Sequence, residues 1–284
     1  MLPSEAVHEK GVAHTTAMGF PPENRLPSGW RMGEICGALA GYVGILAERT
    51  LTPRPAYETI RWEQALADLE ARFGNVSEIL NEPALREVEE GTRRLLADIR
   101  PEDPYLPHWA ADSLLARLCY LACRLLEPET VVETGVAYGV SSAYILTALR
   151  ENGRGKLYSV DLPPMRRKSE RFWGIAVKDD LQGRWSLYRG TSASMLPRLL
   201  QQTPTVDLFV HDSLHTRRNM RREFDTVWPH LREGALLLAD DIERNRAFGE
   251  LRQKAPALWR VVKDREVSPL HGRAAPVVFG IAMK

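Results

Sequence analysis

An α/β fold built on a Rossmann-like, seven-stranded, mostly parallel sheet is what this chain of 284 residues predicts. Three observations carry the prediction. Short apolar runs near residues 130–134, 156–160, 184–189, 205–211 and 234–239 alternate with segments of helical spacing, the rhythm of a parallel sheet with helices on both faces. The first run ends in a glycine-bearing turn, VVETGVAYGVSS at 131–142. Two further runs, near 258–263 and 275–282, are separated only by Arg265 to Ala274, which has a proline, a glycine and no helical pattern. So short a connection cannot make a parallel crossover, and the last strand is expected to be antiparallel.

Ahead of the sheet, residues 1–28 carry Pro3, Pro21, Pro22 and Pro27 among scattered Gly, Ser and Thr, a composition that reads as a flexible leader. Residues 29–106 form a helical extension or cap. It opens with a glycine-dotted apolar segment from Trp30 to Glu48, expected to lie on the core or on a second subunit, so that a homo-oligomer is anticipated. After a break at Thr52 to Pro55, helices are expected over Tyr57–Phe73, with Ile60, Leu66, Leu69 and Phe73 on one side, and over Ser77–Ile99. Pro101 to Pro107 is a linker. The main domain, residues 107–284, begins with a helix over Trp109–Leu126, whose Leu114, Leu115, Leu118, Leu121 and Leu125 share a face before Pro128 stops it.

Formal charge is balanced at +1, so electrostatics suggest no nucleic-acid or membrane partner. The longest apolar stretch, Ile35 to Ala47, is too short to span a bilayer, and Met1 to Gly29 has no secretory pattern. Cys36, Cys119 and Cys123 are an odd set and read as buried free thiols of a reducing compartment, which gives a cytoplasmic expectation.

The chemistry concentrates in residues 205–242. Val206, Leu208 and Val210 form one strand, Ala235 to Ala239 another, and Met220, Phe224, Val227, Trp228 and Leu231 recur at helical spacing between them. Parallel strands joined by a crossover helix present their carboxyl ends to one crevice, where such sheets bind ligands. Asp212 and His215 end the first strand; Asp240 and Asp241 end the second. Three carboxylates so close repel, and a hard divalent cation resolves the repulsion. Against that stands the plainer reading of Asp240 as a helix cap and of Asp212 and Asp241 as solvated turn residues. The Asp-x-x-His spacing lets His215 stand as a base about one turn from a metal ligand.

At the glycine turn, Gly135 and Gly139 permit a tight bend and a close approach, and the helix start beside Ser141 and Ser142 suits a carboxylate or phosphate. The spacing E-x-G-x-x-x-G lacks the dinucleotide fingerprint. Asp161 ends the second strand, placed to accept hydrogen bonds from ribose hydroxyls, and Gly190 and Ser192 follow the third. Trp173, Arg166, Arg244 and Arg246 lie in loops that meet either an acceptor or solvent.

With these motifs, residues from about 109 to 284 resemble class I S-adenosylmethionine-dependent methyltransferases. Among these the resemblance is to cation-dependent O-methyltransferases of the macrocin and mycinamicin sugar-modifying type, and more distantly to catechol O-methyltransferase. The resemblance implies that Glu133, Thr134, Gly135, Tyr138 and Gly139 line the methionine part of S-adenosyl-L-methionine, Ser141 its carboxylate, Asp161 its ribose and Ser192 its adenine. It implies metal ligation, normally of Mg²⁺, by Asp212, Asp240 and Asp241, and a general base at His215. Asp241 departs from the asparagine of the catechol enzymes and makes the site one charge more negative. A histidine in place of the catechol enzymes' lysine points to a small-molecule hydroxyl on a sugar or polyketide-type natural product, as in antibiotic biosynthesis. The alternatives are metal-independent O- or N-methylation, a nicotinamide-dependent oxidoreductase on a similar sheet, and a non-catalytic protein that keeps the fold.

Overall fold

The computed structural model describes residues 54–99, 112–164, 167–267 and 274–284, together with Cys36, Leu39, Val43 and Gly44. The leader at 1–28, the linker from Pro101 to Pro107, Arg166 and most of the Trp30–Glu48 segment lie outside the described residues.

Seven strands are present: β1 Thr130–Thr134, β2 Lys156–Asp161, β3 Trp185–Arg189, β4 Val206–His211, β5 Leu231–Asp240, β6 Leu258–Val267 and β7 Ala274–Met283. They form one sheet in the order β3-β2-β1-β4-β5-β7-β6, and β7 runs antiparallel to both of its neighbours. This is the mostly parallel Rossmann-like sheet with one reversed strand that the rhythm of apolar runs predicts. Its topological switch lies between β1 and β4, where the order turns back, and the carboxyl ends there open the crevice in which such sheets hold ligands.

Strand alternation divides the interior into two layers. Val131, Leu208, Val210, Leu236, Leu238, Phe279 and Ile281 face one side and join a cluster with α4 (Ser113–Leu126) and α5 (Val140–Glu151). Val132, Val160, Phe209, Leu237, Ala239 and Ala282 face the other, against α6 (Ser192–Gln202) and α7 (Arg217–Val227). Trp62, Leu69, Leu85 and Val88, from helices ahead of the sheet, belong to the first cluster, so those helices extend that layer.

The local departures from expectation have physical causes. The helix expected from Tyr57 starts at Trp62 (α1, Trp62–Phe73), because Ile60 is drawn to the open edge of β6. Its amide donates to Val261 O at 2.9 Å, and its carbonyl accepts from Lys263 N at 2.9 Å. The helix expected over Ser77–Ile99 is two, α2 (Val76–Ile79) and α3 (Pro83–Ala97), because Pro83 has no amide hydrogen and is favoured at a helix's first position. Between β2 and β3, where an α-helix was expected, the chain makes only 3₁₀ turns at Arg167–Phe172 and Asp179–Arg184. Pro163 and Pro164 remove amide donors there, and Gly174 takes a left-handed φ of 72°. Cys119 and Cys123 are buried as expected, whereas Cys36 is exposed. No described helix is long and apolar enough to cross a membrane.

Candidate active site

The β4/β5 register pairs His211 with Ala239, so the next residue along each strand, Asp212 and Asp240, emerges on the same side of the crevice. A carboxylate oxygen of Asp212, a carboxylate oxygen of Asp240 and a ring nitrogen of His215 all lie within 4.8 Å of one another. His215 is held from its far side: Asp241 Oδ2 is 3.1 Å from Nδ1, while Nε2 lies 3.6 Å from Asp212 Oδ1, beyond hydrogen-bond reach. Arg244 in turn grips Asp241 Oδ2 at 2.7 Å. Asp241, expected with the metal ligands, therefore spends one oxygen on the imidazole and on an arginine. A left-handed φ of 51° turns the chain at this residue.

His215 Nε2 and Asp240 Oδ1 are buried and have no hydrogen-bond partner among the described residues. Orphaned buried polar atoms are costly. The carboxylates of Asp212 and Asp240 converging on one point are hard oxygen donors suited to a divalent cation, so the residues fit one, with the free His215 nitrogen beside it. Electrostatics agree. Burial pushes the carboxyls of Asp212 and Asp240 well above the usual carboxylate range; repulsion from Asp241 and Asp112 adds to both, that from Glu133 to Asp212 and that from Asp212 to Asp240. Burial also raises Asp241, but its contacts with His215 and Arg244 outweigh that and hold it below its ordinary value. Burial lowers His215, against the pull of Asp241, and favours the neutral imidazole.

The glycine turn fits under this cluster. Gly135 has φ 89°, and a Cβ there would stand 1.9 Å from the backbone oxygen of Asp212. Asp212 N donates to Thr134 O at 2.8 Å, so the ends of β1 and β4 are locked backbone to backbone. Gly139 opens α5 with φ 80°, where a Cβ would meet Gly174 Cα at 2.9 Å. The close approach foreseen for a ligand is thus made, at both glycines, by the protein's own chain.

The other residues with expected cofactor roles are gathered around this turn. Asp161 Oδ2 accepts from Val136 N and Ala137 N, both at 3.1 Å, and from Trp173 Nε1 at 2.9 Å, while Oδ1 accepts from Leu162 N at 2.8 Å. Glu133 is wholly buried and accepts from the hydroxyls of Ser141 (2.5 Å), Ser142 (2.6 Å) and Ser159 (2.7 Å), bracing the turn from beneath. Burial raises its carboxyl despite those three donors. Tyr138 is buried within the turn, and Ser192 Oγ lies 3.3 Å from Asn219 Oδ1. Of the loop arginines read as meeting either an acceptor or solvent, Arg244 is paired with Asp241 and Arg246 with Glu250.

Sequence reasoning missed His211, Glu223 and Asp112. His211 ends the apolar β4, and Glu223 lies within a charged helix, where it resembles its neighbours. The signal available was the helical spacing that sets Glu223 on the same face as Met220 and Phe224. Glu223 is 1% exposed and accepts from Thr134 Oγ1 (2.6 Å), Ser213 Oγ (2.8 Å) and Asn219 Nδ2 (2.8 Å), with His211 Nδ1 at 2.6 Å. Burial alone would raise its carboxyl, but the His211 imidazole and these hydrogen bonds bring it down to about 2.

Residues 132–242, from within β1 to just past β5, match a family model described as a methyltransferase domain. That stretch is less than half of the chain, and it contains both the glycine turn and the acidic cluster. No curated protein matches the chain. Among solved structures, it is similar to the O-methyltransferase TomG of Streptomyces achromogenes, involved in tomaymycin synthesis and in complex with SAM (17% identity, 80% of this chain and 99% of that one, TM-score 0.48). It is also similar to a putative O-methyltransferase of Klebsiella pneumoniae (18% identity, 78% and 96%, TM-score 0.48). A third is an O-methyltransferase of Bacillus cereus in complex with SAH (14% identity, 77% and 100%, TM-score 0.45). The stretch that matches a methyltransferase domain lies on the Rossmann-like sheet, from β1 to β5.

Proposed function

We propose that the protein is an S-adenosylmethionine-dependent O-methyltransferase that alkylates a hydroxyl of a small molecule, of sugar or polyketide type, with a divalent cation, Mg²⁺ in this reading. The observation that carries the reading is the meeting of Asp212, His215 and Asp240 against the glycine turn, inside the stretch that matches a methyltransferase domain. When bound, S-adenosylmethionine supplies an electrophilic methyl sulfonium, and the cation supplies charge that lowers the pKa of an acceptor hydroxyl. Asp212 and Asp240 would hold the cation, whose charge would offset the repulsion around these buried carboxylates. Asp241 fixes the His215 ring through Nδ1 and leaves Nε2 bare to take the acceptor's proton, a role that needs the neutral imidazole favoured by burial. Asp161, at the end of β2, receives the ribose hydroxyls, and the turn from Gly135 to Gly139 borders the methionine part.

A second reading, metal-independent transfer, draws on the Asp241–His215 pair, which forms a base with its orienting carboxylate even without a cation. Calorimetric titration with S-adenosylmethionine and with NAD tests the cofactor, and binding of NAD alone would overturn the proposal. Mass-spectrometric screening of hydroxylated glycosides and polyketides for one added methyl group then identifies the acceptor.

A further inference from the structure

We infer that Glu223 is a positioning residue for the candidate metal cluster, acting on Asp212 through the residues on either side of it. The inference rests on the reading above, that Asp212 and Asp240 hold a divalent cation. Asp212 stands just beyond the last residue of β4. Its two chain neighbours, His211 and Ser213, both reach the same buried carboxylate, at 2.6 and 2.8 Å. A third contact, 2.6 Å from Thr134 Oγ1, ties that carboxylate to the residue before the glycine turn, whose carbonyl already accepts from the Asp212 amide. A fourth, from Asn219 at 2.8 Å, anchors it within its own helix, α7.

Glu223 thus clamps the peptide on both sides of Asp212 and fixes it to β1. Without the clamp, the Asp212 carboxylate would have to be ordered at the moment of cation binding, at a cost in affinity. The imidazole of His211, steered by Glu223, also meets the ring of His215 edge to face at a centroid distance of 5.4 Å, so the same carboxylate limits where the His215 ring can stand. The cofactor half of the crevice is held otherwise, by Glu133 and its three serines. Glu223 touches that half only at Thr134 and Ser192, so its substitution should weaken the metal half more than the cofactor half.

The test measures Mn²⁺ binding by electron paramagnetic resonance, with no acceptor present, and S-adenosylhomocysteine binding by calorimetry, on wild type, Glu223→Gln and Ser213→Ala. Ser213→Ala removes one of these contacts and spares the fold if the glutamine variant fails to fold. Substitutions of residues that hold metal ligands in place commonly cost about 10–100-fold in metal affinity. The expectation is a loss of that order for Glu223→Gln and a smaller loss for Ser213→Ala, with S-adenosylhomocysteine affinity within about threefold of wild type in both. Unchanged Mn²⁺ affinity in a folded variant, or an equal loss of both ligands, overturns the positioning role. A wild type that binds no Mn²⁺ overturns the metal reading itself and this inference with it.

Discussion

His215 turns its Nδ1 to Asp241 Oδ2 at 3.1 Å and leaves Nε2 without a partner, 3.6 Å from Asp212 Oδ1. One ring nitrogen is fixed and the other is offered. This division of roles between neighbouring carboxylates gives Asp240 and Asp241 different tasks although they are adjacent in sequence.

Asp241→Asn should therefore behave as an orientation defect. The amide keeps the shape but loses the charge that holds the imidazole, so turnover should fall about 10–100-fold while S-adenosylmethionine affinity changes little. Steady-state kinetics beside calorimetry checks this, and a matched loss of cofactor affinity would contradict it.

The pH dependence of turnover follows from His215. Burial lowers its pKa beneath the ordinary value near 6.5. The proton-accepting form therefore persists as pH falls through 6.5, and the acid limb of the rate profile should lie below that value. His215→Ala should lower the rate by about 10²–10⁴-fold and abolish that limb.

For Asp240 the sign of linkage runs opposite to the usual carboxylate. Its folded pKa is raised above the unfolded value near 3.9, so the metal-free folded state holds the proton more tightly, and stability is lost as pH rises from that value through the raised one. Asp240→Asn removes the repulsion. Its melting temperature should exceed that of the metal-free wild type by about 2–4 °C at pH 8, the shift that about 1 kcal/mol produces in a domain of this size. The difference should shrink as pH falls toward 4. Thermal unfolding in chelator across that range measures it.

Much of this was legible in the chain, for a reason that also marks the limit. All seven strands and the reversal of the last follow from alternation and loop length, because a strand buried on both faces must be apolar along its length. Asp212, His215 and Asp240 were readable because strand ends fall at predictable places. The pairing of Asp241 with His215 and Arg244 was not, because a left-handed φ at that residue decides which way its carboxylate goes. Nor was the paired state of Asp161 and Glu133, whose partners Trp173 and Ser159 are 12 and 26 residues away in the chain. Glycine spacing announced a close approach without saying to what.

Gly135 makes that point testable. A methyl group there meets the Asp212 backbone oxygen and must also adopt a φ that costs a side chain about 1–3 kcal/mol. Gly135→Ala should lower the melting temperature and displace Asp212, whereas Gly153→Ala, with a similar φ of 69° and nothing within 4 Å, should show the backbone cost alone. Comparing the two by thermal unfolding separates strain from clash.

The claim on which the rest depends is that the carboxylates at the ends of β4 and β5 hold a cation needed for methyl transfer. The most direct measurement is mass-spectrometric methyl transfer from S-adenosylmethionine to a hydroxylated acceptor, run as purified, after chelation and after return of Mg²⁺. The account predicts activity lost to the chelator and restored by the ion in the wild type, with no restoration in Asp212→Asn. An undiminished rate in chelator would contradict it.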